Sequence, residues 1–144
     1  MAKLSKNVSG ASAVEFALVL PLLMIMFAGL LDFGMAYWRQ HVLSAAARQG
    51  ARAASLYQST ANVTEVITKY VQDAGIDPSD LSSTVTREAV PGDTSFMNVV
   101  TVRQPYRFNL LQVFLEAFNF IVGDEVFPSS ITLTGQAKMV IETL

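Results

Sequence analysis

Cysteine is absent from the 144 residues, and histidine and tryptophan occur once each. Without thiols there is no disulfide framework, no thiolate metal site and no cysteine nucleophile. A lone imidazole, His41, excludes a multi-histidine metal centre. Charged residues make up only 15% of the chain, and no basic tract offers a footprint for nucleic acid. No glycine-rich phosphate loop follows a strand-like run. Asp73, Asp77 and Asp80 lack the spacing of a calcium loop and read as a helix end and the turn after it. His41 lies one turn from Ser44, with Arg48 and Arg52 on the same face, and reads as a solvated or packed side chain rather than half of a catalytic dyad. With no nucleophile–base pair, metal cluster or cofactor fingerprint, neither enzymatic activity nor a cofactor is expected.

Charge is scarcest in one place. From Phe16 to Leu31 no residue carries any. This run supplies much of the 51% hydrophobic share and the positive mean hydropathy, so neither figure implies a large soluble core. Residues 16–38 make a helix about 34 Å long at ~1.5 Å per residue, enough to cross a ~30 Å hydrocarbon layer. Tyr37 and Trp38 suit an interfacial anchor at its far end. Asp32 interrupts that end and is expected at the interface, solvated by headgroups or against Arg39 or a partner helix. Pro21 and Gly29 are tolerated where neighbouring groups satisfy the freed backbone. A secretory signal peptide needs a small-x-small exit after the run, and Met26-Phe27-Ala28 has methionine where a small residue belongs. The Gly/Ala/Ser cluster at 9–13 precedes the run, so cleavage there leaves the run attached. Basic residues do not orient the segment, because Lys3 and Lys6 precede it while Arg39, Arg48 and Arg52 follow it.

One carboxylate, Glu15, stands at the near edge of the run, five residues after Gly10. A carboxylate costs roughly 2.5–3.5 kcal/mol at mid-membrane and less near the edge, so the position reads as functional. As an acid at a helix N-terminus it gains ~0.3–1 kcal/mol from the macrodipole. Gly10 followed by Ala11-Ser12-Ala13-Val14-Glu15-Phe16 resembles the processing site of type IV prepilins. The longer string Ala13-Val14-Glu15-Phe16-Ala17-Leu18-Val19-Leu20-Pro21, then Asp32-Phe33-Gly34, resembles the TadE-like pseudopilins of tight-adherence (Tad) pili. Ala45-Ala46-Ala47-Arg48-Gln49-Gly50-Ala51-Arg52-Ala53-Ala54 is similar to the Ala/Arg/Gly segment of that family. The resemblance covers residues 10–54. The major pilins of such systems are much shorter and usually carry Glu-Tyr where this chain has Glu15-Phe16, which favours a minor component. The resemblance implies cleavage between Gly10 and Ala11 by a prepilin peptidase at the cytoplasmic face. It also implies pairing of Glu15 with the free amine of a neighbouring subunit's Ala11 during assembly. The implied partners are that peptidase, other pilins or pseudopilins, an inner-membrane assembly platform and membrane lipid.

The helix is expected to continue past the membrane. Leu43, Ala47, Gly50, Ala54 and Tyr57 recur at spacings of four and three, with His41, Ser44, Arg48, Arg52 and Ser55 opposite. Gly50 costs such a helix roughly 1 kcal/mol against alanine. The small residues Ala45, Ala46, Gly50 and Ala53 would let helices approach closely. A second helix is marked by Val63, Val66, Ile67, Tyr70, Val71 and Ala74, with Asn62 and Glu65 as a capping box and Gly75 at its close. Asp77-Pro78 then turns the chain. Residues 82–90 and 96–103 flank Pro91-Gly92-Asp93 as a hairpin. Ile131, Leu133, Gly135, Ala137, Met139 and Ile141 alternate along a strand with one buried face. Residues 108–122 are apolar except Asn109, Gln112, Glu116 and Asn119, which share one helical face. That run is too short to span a membrane and reads as a core helix under the sheet, with a docking or membrane-surface patch as the alternative.

These readings describe an α+β chain of pilin-like design, with a long N-terminal helix packed on a small antiparallel sheet. A leader occupies 1–10, a transmembrane helix 11–38, an amphipathic extension 39–57 and a periplasmic domain 58–144. The expected function is that of a minor pilin or pseudopilin of a Tad-type pilus, supporting biogenesis and adherence. Its expected place is the bacterial inner membrane, single-pass, with a cytoplasmic N-terminus and possible incorporation into an extracellular pilus. The rival is an uncleaved single-pass envelope protein whose outer domain binds or catalyses. A mature N-terminus at Ala11, rather than Met1 or Ala2, separates the two.

Overall fold

The computed structural model describes residues 8–56, 59–93, 95–114, 116 and 130–141. Helix α1 runs from Val8 to Ser55, 48 residues without a break at Pro21, about 72 Å at ~1.5 Å per residue. The surroundings of α1 change along its length. From Ala11 to Phe27 every residue is exposed, although nearly all are apolar. A helix apolar on all sides belongs in lipid or inside a larger assembly. From Leu43 to Ala54, by contrast, the expected positions Leu43, Ala47, Gly50 and Ala54 are buried, while His41, Arg48 and Arg52 stay exposed. Tyr57, expected on the same face, lies outside the described residues.

Contacts divide the described residues into two units. One holds α1 up to Phe33 together with the stretch from Phe108; the other holds α1 from Gly34 with a second helix and three strands.

In the second unit, α2 spans Thr60–Asp73 and buries Val63, Ile67 and Val71, one residue per turn. Val66 and Tyr70, expected on that face, remain more than a third exposed. The expected capping box at Asn62 and Glu65 does not form. Ser59, in extended conformation, is the N-cap, and its hydroxyl accepts from the Asn62 N–H at 3.3 Å. Starting the helix there brings Thr60 and Ala61 into its first turn and leaves Asn62 a donor rather than a cap. The far end matches the expectation at Gly75, which adopts φ +78. Gly75 N–H donates to Gln72 O at 2.8 Å and Ile76 N–H to Val71 O at 3.1 Å, with Ile76 and Val71 both buried. That is a complete Schellman closure with its apolar contact.

Strands β1 (Ser82–Ala89), β2 (Phe96–Arg107) and β3 (Ser130–Ile141) form an antiparallel sheet in the order β1-β2-β3. The β1–β2 hairpin turns at Val90-Pro91-Gly92-Asp93, where Asp93 N–H donates to Val90 O at 3.1 Å and Gly92 has φ +83. Proline at the second position and glycine at the third are what a type II turn requires. Along β2 the even residues from Asn98 to Tyr106 are buried, and on β3 Leu133 and Gly135 join them. The apolar face of β3 fades where Met139 is 37% exposed, so the alternation read over the whole strand holds only for its first half.

The second half of α1 packs on this face. A side chain at Gly135 would strike the Leu43 carbonyl and the Ser44 nitrogen, so the helix backbone lies directly against β3 there. Gly50 faces Ile67 of α2 and Val100 of β2 with little room for a methyl group. Two side-chain amides fasten the contact. Gln40 Nε2 donates to Thr134 O at 2.6 Å, while Gln40 Oε1 accepts from Thr134 N–H at 3.2 Å, so the amide pairs with the edge strand as another strand would. Asn98 Nδ2 donates to Ala54 O at 2.9 Å, satisfying one carbonyl that the end of α1 would otherwise leave orphaned. Gln104 holds the Asp77 carbonyl at 2.7 Å and ties the turn after α2 to the sheet. A long apolar helix packed on a three-stranded antiparallel sheet is the α+β arrangement the sequence predicts.

Candidate functional site: an exposed apolar helix with two carboxylates

Gly10, Ala11 and Glu15 lie in the first turns of α1, all exposed. Ala11 and Glu15 are one turn apart, and a side chain at Gly10 would meet nothing within 4 Å. Among the described residues no hydrogen bond or ion pair engages Glu15. Every large side chain from Phe16 to Phe27 stands at least 36% exposed. Lys3 and Lys6 lie outside the described residues. This end of α1 offers a binding surface rather than a cleft: an apolar rod with one charge near its tip.

Asp32 has a different setting. It is fully buried, one turn beyond the buried Ala28. Its Oδ2 accepts from the Leu110 N–H at 3.0 Å and the Leu111 N–H at 2.7 Å, where residues 110–114 form a helical turn. The Phe33 ring meets the Phe108 ring edge-on, with centroids 5.7 Å apart. Asp32 thus accepts from two backbone amides of that turn, while the Arg39 guanidinium sits over the Tyr106 ring at 5.2 Å. The reason is the helix end from Phe108, which presents unsatisfied N–H groups that a carboxylate fits. The expectation for 108–122 changes with it. Its described part groups with the first half of α1 and not with the sheet. Leu115 and residues 117–122, including Phe118 and Phe120, lie outside the described residues.

The remaining candidates have structural surroundings. Ser44 donates its hydroxyl to Gln40 O at 2.9 Å and His41 packs its ring against Tyr37, so the two do not form a dyad. Asp77 accepts from Ser79 N–H at 2.9 Å within its turn. Among the described residues no three His, Asp or Glu side chains are grouped as a metal site would need. Ala46, Gly50 and Ala53 are buried inside their own unit, and Ala45 is half-buried. Sequence reading did not find the roles of Asp32, Gln40 and Gly135. Their partners lie far away along the chain, and no local spacing signals them.

By architecture this is an α+β protein, and among the described residues one N-terminal helix is long and apolar enough to cross a membrane, which is consistent with a single-pass protein. Residues 10–52 match the TadE-like protein family, so over that segment the chain is similar to it. The match covers α1 almost to its end and none of α2 or the sheet. No curated protein and no solved structure matches the chain.

Proposed function

We propose that this chain is a minor pilin or pseudopilin of a Tad-type pilus, without catalytic activity of its own. The observation that carries this is the first part of α1: a TadE-like segment, apolar and exposed on all sides, with Gly10 and Glu15 at its start. A prepilin peptidase would cut after Gly10 and leave Ala11 as the new N-terminus. The inner membrane then holds α1 with its N-terminus cytoplasmic and the sheet domain periplasmic. Glu15 pairs with the Ala11 amine of a neighbouring subunit. An unpaired carboxylate in lipid is costly, so the pair selects assembled over isolated subunits and fixes their register. Other pilins and an inner-membrane assembly platform are the remaining partners, and adherence follows from assembly. Of the small residues Ala45, Ala46, Gly50 and Ala53, the domain's own core leaves only Ala45 partly accessible for close helix approach between subunits.

The test is Gly10→Leu, expressed with the host's prepilin peptidase. A bulky side chain at the scissile bond is expected to leave the leader attached, read as a larger intact mass. A normally shortened product from Gly10→Leu rules this processing site out.

A further inference from the structure

Pilin assembly leaves the stretch from Phe108 without a role. Its helical turn begins at Leu110, and the first two amides of that turn bond to Asp32. Asp32 lies within the 16–38 stretch read as the membrane span, so the groups it bonds lie at membrane depth. Two penalties offset each other there. A carboxylate in lipid is expensive unless its charge is hydrogen-bonded. The first N–H groups of a helix are orphans, and no water reaches them in lipid. Asp32 answers both needs at once.

The surface around this contact exposes large apolar side chains beside the polar Asn109 and Glu116. Leu110 is 44% exposed, Val113 64% and Phe33 60%. Gln112 donates to Glu116 at 2.8 Å, so the polar side chains of the turn bond to each other. Large side chains of this kind continue the lipid-type surface of α1. A docked partner helix would instead be met by small residues that let backbones approach.

We propose that the turn from Leu110 is a second membrane-contacting element, clamped to α1 by Asp32 and presenting Leu110 and Val113 to acyl chains. This rests on α1 being a membrane span, and the test separates the two. Because the chain has no cysteine, Val113→Cys, Val19→Cys and Thr84→Cys each give one labelling site in the full chain. Each is labelled with a fluorophore in phosphatidylcholine vesicles and quenched either by brominated acyl chains or by iodide on both sides of the membrane. The label at 113 is expected to follow that at 19, quenched by bromine and shielded from iodide, while the label at 84 shows the reverse. Adding Asp32→Leu is expected to shift the label at 113 toward iodide, by roughly a hundredfold or more in the docked-to-free ratio for the two charge-assisted hydrogen bonds lost. Asp32→Asn, which keeps an acceptor oxygen, shifts it less. Iodide access at 113 with bromine quenching at 19 overturns the proposal and leaves the span intact. Absence of bromine quenching at 19 removes the span itself. Quenching at 113 by neither agent means that protein covers it, which overturns the lipid assignment. Unchanged bromine quenching at 113 in the Asp32→Leu variant removes the clamp.

Discussion

Single residues decide how α1 meets its surroundings, and glycine does so at two places with different tolerance. At Gly135 a methyl group would meet main-chain atoms of Leu43 and Ser44, which cannot move without shifting the helix. At Gly50 it would meet side-chain atoms only, Ile67 Cδ1 at 2.7 Å and Cγ1 at 2.8 Å with Val100 Cγ1 at 3.2 Å, and alanine regains helix propensity. Gly135→Ala is therefore expected to cost about 1–3 kcal/mol or more by overpacking, seen as a thermal midpoint lowered by several degrees. Gly50→Ala is expected to cost clearly less. An unchanged midpoint for Gly135→Ala would show that helix and strand are not in direct contact there. Glu15 belongs to the same scale. Glu15→Gln keeps size and polarity but removes the charge proposed to pair with an Ala11 amine. Processing and insertion are expected to be near normal, with pilus assembly lost or reduced in a pilus-bearing host. Full assembly of the glutamine variant would remove the charge-pair argument.

Among the elements, the helices and strands follow from local pattern, and their ends follow from caps. α2 is bounded by Ser59 and Gly75, with apolar residues one per turn between them. Ser59→Ala removes the acceptor for the Asn62 N–H and is expected to destabilise by about 0.5–2 kcal/mol, while Asn62→Ala changes little. A larger loss from Asn62→Ala, measured by thermal melting, would return the cap to the position the sequence predicts. The spacing in α1, the period of α2 and the Pro-Gly turn were legible because each is written within a few neighbouring residues. The alternation on β3 was legible only in part, since Leu133 and Gly135 are covered and Met139 is not. Contacts between distant segments were not legible at all. Gln40 reaches Thr134, 94 residues on, and Asp32 reaches Leu110, 78 residues on. A carboxylate beside Phe-Gly looks the same in sequence whether it meets headgroups or caps a helix.

For the whole molecule, α1 passes through two surroundings. The TadE-like match spans nearly all of it; its first half exposes apolar residues, and its second half closes the core of an α+β domain. That division suits the proposed function, in which the first half would assemble within the membrane and the folded half would be displayed. The candidate site was legible at Gly10, Ala11 and Glu15 because motif and apolar run adjoin, whereas the part of Asp32 and the Leu110 turn emerged only from the fold. The most direct test is the intact mass of the protein extracted from membranes of a host carrying the prepilin peptidase. A chain beginning at Ala11, with residues 1–10 removed, is the expected result. A chain beginning at Met1 or Ala2 would contradict it and favour an uncleaved single-pass envelope protein.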